Sequence, residues 1–330
     1  MIAGVDDLDR IRGLHDLWAR LTMQAAPRDS RAVPIRILTD TLGLGLEQTI
    51  QMLGRERPSL TAFAEWVLQT AGPLDPAQLA RYTAWFDGAP TPQAELDRRA
   101  VVMAMSNVFS TEERAAWDRD GVVVLRSAIS GDEAAAIADL VWDVAGASPG
   151  DPASWYERRP NGIMIQHFQH PAMDVPRRSP RIAKGFAELY GHADLIVSID
   201  RLSFNPPERP GHAFTGPHLH WDGNLTPPIP FETQAILYLT DTAADQGALQ
   251  VVPGFHDRLA EGWLESLDGA DPRTVDLSGA AMTVPAGAGD LVIWRHEIPH
   301  GASANTGNRP RLAQYVNHYP MQWPDDRTWL

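Results

Sequence analysis

His220 and Asp222 stand two residues apart in the run His218-Leu219-His220-Trp221-Asp222. Side chains along an extended strand alternate with period two, so an imidazole and a carboxylate at this offset share one face and can bind one ion together. A second histidine from elsewhere in the chain completes one face of an octahedral ion and leaves three positions open. Two histidines and one carboxylate are the donor set of non-haem Fe(II) oxygenases. His300, just after the run Asp290-Leu291-Val292-Ile293-Trp294, is the candidate, delivered by that strand to a turn. Arg311, eleven residues further on, offers a planar guanidinium that can grip a carboxylate through two parallel hydrogen bonds. Taken singly, each has an ordinary explanation: a chance surface pair, a loop histidine satisfied by backbone, or a surface ion pair in a chain with 42 acidic residues. His218 competes with His220 as a ligand but has no aspartate at the required offset. Arg309 competes with Arg311 but precedes a proline and reads as loop.

The elements that must position these groups change character along the chain. Residues 1–107 read as a helical extension: Leu14 to Leu21, Leu42 to Leu53 and Leu60 to Leu68 carry apolar residues at spacings of three and four, punctuated by Pro and Gly. No ligand-like cluster occurs there, so a packing or dimerisation element is expected. From 108 to 330 a second domain is expected. It opens with a helix capped by Ser110 or Thr111, the turn Asp120-Gly121, a strand Val122–Leu125 and a helix capped at Ser130. Pro149 to Gly162 is rich in loop formers, and Ile163–Phe168 is strand-like. Strands are then expected over Leu195–Asn205, His218–Asp222, Thr233–Asp241, Ala248–Val252, Ala281–Pro285, Asp290–Trp294 and Leu312–Tyr319. Short strands joined by Gly/Pro loops predict a sandwich or small barrel.

Composition narrows the function. At 330 residues, 44% apolar and 21% charged, the chain reads as a globular protein of one or two domains. The net charge of −14 argues against a nucleic-acid partner, which requires a basic face. With no cysteine, disulfides, zinc–thiolate sites, iron–sulfur clusters and a cysteine nucleophile are excluded. The acidic start Met1-Ile2-Ala3-Gly4-Val5-Asp6-Asp7 lacks the order of a signal peptide, and no apolar run reaches the roughly 20 residues of a membrane span. A cytoplasmic location is therefore expected.

Several segments, in order, resemble the phytanoyl-CoA dioxygenase family of Fe(II)/2-oxoglutarate oxygenases, which includes ectoine hydroxylase. Thr111 to Leu125 is similar to the family's opening helix and Asp-Gly-strand. Arg201-Leu202-Ser203-Phe204-Asn205-Pro206 is similar to the strand before its metal motif, and His220-Trp221-Asp222 to the motif itself. Gln246-Gly247-Ala248-Leu249-Gln250-Val251-Val252-Pro253-Gly254-Phe255-His256 resembles its Asn-Gly-x-Leu-x-x-x-Pro-Gly-Ser-His segment, and Gly289-Asp290, His300 and Arg311 follow at the family spacing. The resemblance covers about two thirds of the chain. It implies a double-stranded β-helix, a jelly-roll, cupin-like core over about 195–320. It also implies Fe(II) held by His220, Asp222 and His300, and 2-oxoglutarate anchored through its distal carboxylate by Arg311. Ser203, Asn205 (on the strand face of Arg201) and Gln234 fall at polar positions near the co-substrate.

The implied reaction is hydroxylation of an unactivated C–H of a small molecule, consuming O2 and releasing succinate and CO2. Asp222 argues against halogenation, because halogenases of related folds lack this carboxylate. Desaturation, epoxidation or rearrangement at the same centre is the first alternative; a non-catalytic metal-binding β-barrel is the second. Met164, Gln166, Phe214, Trp221 and Trp294 are candidates for the substrate wall, each with ordinary packing as the competing explanation. Two departures stand out: Ala302 replaces a serine that touches the co-substrate in relatives, and Phe255 replaces the serine before His256. The cluster Arg177-Arg178-Arg181 could meet phosphates of a thioester, although a solvated helix start explains it as well. The acidic balance favours a neutral or cationic substrate, such as an amino-acid derivative or a specialised metabolite, with no membrane partner. An oligomer, if formed, would be built through the N-terminal helices.

Overall fold

A computed structural model describes residues 8–29, 31–157 and 162–330. The acidic N-terminal heptapeptide and part of the Pro149–Gly162 loop stretch therefore lie outside the described residues. The N-terminal third is helical: α1 (Leu14–Thr22), α2 (Ile35–Thr41), α3 (Leu46–Glu56), α4 (Leu60–Ala71), α5 (Pro76–Asp87) and α6 (Gln93–Ala104). The expected single helix Leu42–Leu53 is instead broken between α2 and α3, where Gly43 takes a positive φ of 76°. Then come α7 (Thr111–Asp120) and α8 (Gly131–Ala145), each opened by a reciprocal Ser–Glu capping box at Ser110 or Ser130. β1 (Val122–Leu125) lies between them, and β2 (Met164–Ile165), α9 (Pro171–Arg177) and α10 (Pro180–Tyr190) follow.

The remaining strands are β3 (Ile196–Val197), β4 (Leu202–Asn205), β5 (Thr233–Tyr238), β6 (Leu249–Val251), β7 (Met282–Val284), β8 (Leu291–Arg295), β9 (His300–Ala302), β10 (Arg311–Tyr315) and β11 (His318–Tyr319). The major sheet runs β1-β8-β5-β10-β4-β2 and is antiparallel throughout; a smaller sheet runs β7-β6-β9, and β3 pairs with β11. The sheets enclose a core between them, and helices cover the outer face of the larger one. This is the expected mixed β/α double-stranded β-helix.

Period-two alternation sorts the side chains. On β5, Ala235 and Leu237 join the core under the helices, while Ile236 and Tyr238 join the core between the sheets. On β8, Leu291 and Ile293 face out to the helices, and Val292 and Trp294 face in. The same alternation turns Leu312 outward and Ala313 inward on β10, so that Arg311, two residues before Ala313, also points inside. A third core packs α1 to α5 together and reaches Ile196 and Tyr319, tying the helical layer to the β3–β11 pair.

Four expectations fail locally. The strand foreseen over His218–Asp222 is only a single bridge, His220 opposite His300. Gly216-Pro217 before it and Gly223 after it prevent a longer ladder. The strands foreseen over Leu195–Asn205 and Leu312–Tyr319 are each interrupted, at residues 198–201 and 316–317. Arg177, expected at a solvated helix start, is buried and donates to the carbonyls of Phe168 and Asp200 at 2.8 Å each. Among the described residues, no helix is long and apolar enough to cross a membrane.

Candidate metal centre and co-substrate pocket

The bridge between His220 and His300 is what assembles the centre. Each backbone N–H donates to the other's carbonyl, at 2.9 and 3.0 Å, so the two residues lie side by side and their rings come within 4.7 Å. His300 thus sits on β9 itself, not in a turn after β8. Gly301 permits the approach: a Cβ there would meet the His218 carbonyl oxygen at 2.5 Å. Asp222 completes the group, its Oδ1 lying 3.2 Å from His220 Nε2 and its Oδ2 lying 3.4 Å from His300 Nε2. Among the described residues, His220, Asp222 and His300 are the one cluster able to hold a metal ion, with ligand atoms all within 4.8 Å of one another.

Both imidazoles are oriented from behind. His220 Nδ1 lies 2.7 Å from the His218 carbonyl and His300 Nδ1 lies 3.4 Å from that of Ile298. A carbonyl can only accept, so Nδ1 donates to it, and an ion that takes the place of the Nε2 proton shared with Asp222 would bind at Nε2. Asp222 is oriented too: Gln234 Nε2 donates to its Oδ2 at 2.5 Å, while Trp294 Nε1 donates to Gln234 Oε1 at 3.1 Å. Burial works against ionising Asp222, but hydrogen bonds and charge from the two histidines outweigh it and hold the carboxyl well below its ordinary range. His300 is pulled down by burial, and His220 is raised by its contact with Asp222.

Arg311 begins β10 opposite Asn205 and is 1% exposed. Its Nη2 donates to Ser203 Oγ at 2.8 Å, Ser203 passes its own hydroxyl to the Ile163 carbonyl at 3.0 Å, and the Arg311 Nε has no partner. No described carboxylate forms an ion pair with Arg311. Arg309, its rival, is exposed.

A cavity of about 460 Å3 joins these groups, lined by the three cluster residues, Arg311, Gln234, Trp294 and Met164. Of the other residues foreseen here, Trp221 is buried on the opposite side, edge-on to Phe255, tilted against Trp263 and donating to the Glu297 carbonyl. Gln166 and Phe214 do not line the cavity, and Phe214 packs edge-on against His218. Asn205 instead donates to the Ser303 carbonyl at 3.2 Å. His218 is outside the cluster; its backbone carbonyl, not its ring, serves the site. Sequence reasoning missed Arg36, Asp40, Leu46, Glu47 and Ile50, which reach the same cavity from α2 and α3. Nothing in their pattern sets them apart from ordinary amphipathic helices.

The model of the phytanoyl-CoA dioxygenase (PhyH) family matches residues 117–313. The chain belongs to the phytanoyl-CoA dioxygenase family. As such it is a 2-oxoglutarate-dependent non-haem iron dioxygenase, using iron, 2-oxoglutarate and O2. It is 21% identical over 259 residues to a Dictyostelium discoideum protein provisionally named phytanoyl-CoA dioxygenase, covering 62% of this chain and 74% of that one. It is 22% identical over 251 residues to the ectoine dioxygenase of Bordetella parapertussis, covering 66% and 77%. Among solved structures it is similar in fold to a hypothetical protein, JW0805, of Escherichia coli, with a TM-score of 0.51 at 18% identity over 64% of this chain and 69% of that one. The family match begins inside α7, so the helical layer α1 to α6 lies outside it.

Proposed function

We propose that His220, Asp222 and His300 hold the Fe(II) and that Arg311 pairs with the distal carboxylate of 2-oxoglutarate. The centre then hydroxylates an unactivated C–H of a small molecule, an amino-acid derivative or a specialised metabolite, releasing succinate and CO2. The observation that carries this reading is a buried guanidinium without a carboxylate, on the wall of the cavity that holds the His-Asp-His cluster. A buried unpaired cation is costly, and an incoming dicarboxylate removes the cost. The donor set fits a divalent iron: two imidazoles that turn Nε2 toward one ionised carboxylate.

Bound iron supplies the redox chemistry by which O2 oxidises 2-oxoglutarate to succinate and CO2 and delivers one oxygen atom to the substrate. The chain's residues do the rest. The carbonyls behind His220 and His300 fix which nitrogen faces the ion. Gln234, foreseen as a co-substrate contact, serves through Asp222, and Ser203 serves through Arg311 by orienting the guanidinium. Trp294 and Met164 cover the site with apolar surface and limit water. We take residues 108–330 as the oxygenase domain, in the cytoplasm, with neither nucleic acid nor membrane as partner.

The test is anaerobic addition of Fe(II) and 2-oxoglutarate. A weak visible charge-transfer band is expected with both present, and it should vanish in Arg311→Leu. Iron-loaded protein showing neither the band nor succinate formation in air would overturn the reading.

A further inference from the structure

The outer wall of the cavity comes from outside the family match. α3 is pressed onto the barrel at Gly45, where a Cβ would overlap the Phe168 ring at 2.2 Å, and Gln169 donates to the Gly43 carbonyl at 3.0 Å. α2 is held at Asp40, whose Oδ1 accepts from the Ile199 N–H at 2.7 Å and whose Oδ2 accepts from the Tyr319 hydroxyl. These contacts leave two charged features facing the cavity. Arg36 lies over the Tyr319 ring, 3.6 Å from its centre, and its ion pair with Glu232 is a long one, 3.5 Å. The neighbouring Asp40, which accepts from Ile199 and Tyr319, acts on Arg36 through its charge and not through an ion-pair contact. The second feature is Arg201, which serves two carboxylates at once, Glu47 and Asp200, and so leaves one negative charge over.

We propose that this wall makes the enzyme selective for a zwitterionic amino acid: Arg36 pairs with the substrate carboxylate, and the Glu47–Arg201–Asp200 group takes its ammonium. The inference rests on the reading of the centre given above and deepens it. Leu46, Ile50, Phe168 and Met164 give the cavity an apolar side for an aliphatic body. The size agrees: about 460 Å3, shared with 2-oxoglutarate, lies in the lower half of the roughly 300–1,000 Å3 typical of small-molecule sites. An analogue that lacks the carboxylate or the ammonium leaves the matching feature without its ligand partner in a partly desolvated site, which sites of this kind reject strongly.

The experiment uses the full chain loaded anaerobically with Fe(II) and 2-oxoglutarate. Calorimetric titration compares L-leucine, L-norleucine, L-valine and 5-aminopentanoate, each beside its primary amide and its N-acetyl derivative; succinate formation in air is measured in parallel. At least one zwitterion is expected to bind about tenfold to a hundredfold more tightly than both of its derivatives. Arg36→Gln should erase its advantage over the amide and keep that over the N-acetyl form; Glu47→Gln should do the reverse. A helix that merely packs would not produce this crossed pattern. Equal binding of the derivatives, no binding by any zwitterion, or unchanged selectivity in both variants overturns the inference. The visible band keeps the two readings apart: a normal band without zwitterion selectivity defeats only this one, and an absent band defeats the reading of the centre.

Discussion

Replacing Arg311 by leucine removes the one buried cation in the cavity wall that has no described carboxylate partner. If its partner is the far carboxylate of 2-oxoglutarate, the cost falls on binding and not on folding. Truncating one member of a buried, hydrogen-bonded charge pair costs about 2–5 kcal/mol, or roughly thirtyfold to several thousandfold in affinity. Arg311 is 1% exposed, so solvent screens little of this, and the upper half of the range is expected. The ligand-free protein should respond in the opposite sense. It loses an uncompensated buried charge and a single hydrogen bond to Ser203, whose hydroxyl keeps its bond to the Ile163 carbonyl. Thermal unfolding with and without the co-substrate separates the two effects. At a concentration one hundred times its dissociation constant, a ligand stabilises the native state by about 2.7 kcal/mol. Wild-type protein with anaerobic Fe(II) should show that gain on adding 2-oxoglutarate. Arg311→Leu should show almost none, while melting near the wild-type temperature without it. Collapse of the ligand-free variant would make Arg311 a structural residue, and a co-substrate affinity within about threefold of wild type would remove it from the binding site.

Gln234→Leu should lower iron affinity about tenfold to a hundredfold, because Asp222 loses the donor that orients it; metal titration by competition with a chelator reads this directly. His218→Ala should bind iron normally and His220→Ala should not, since only the backbone of His218 touches the centre; the reverse pattern would exchange the two assignments. Asp40 governs a pH effect: burial lifts its pKa from 3.8 to about 6. A carboxyl raised in the folded state binds protons more tightly there than when unfolded, so its contribution to stability is greatest below pH 4 and declines as pH rises to 6, by roughly 3 kcal/mol. Asp40→Asn should therefore flatten stability across pH 4–6 as followed by denaturant melts, and an unchanged slope would place the effect elsewhere.

How much of this was readable from the chain depends on how locally each feature is encoded. The His220–Asp222 offset needs only an extended backbone, so it survives even though the expected strand is a single bridge. Trp221 shows the same rule from the other side: alternation sends it away from the ion, and for that reason it cannot also line the pocket. Gln234, Trp294 and Arg311 share the barrel interior because period two holds along β5, β8 and β10. Their partners depend on register between distant strands, which no local pattern encodes. The donation from Gln234 to Asp222 is one such partnership.

The helical layer is the hardest part to read. Arg36 and Glu47 look like any solvated charges on short amphipathic helices. They face the cavity only because Gly45 lets α3 close on Phe168 and because Asp40 meets Tyr319, near the far end of the chain. The ligand set therefore rests on short-range geometry common to the barrel, whereas the outer wall rests on long-range packing peculiar to this chain. Substitutions at the docking contacts, such as Gly45→Ala, should accordingly disturb the choice of substrate before they disturb iron or 2-oxoglutarate.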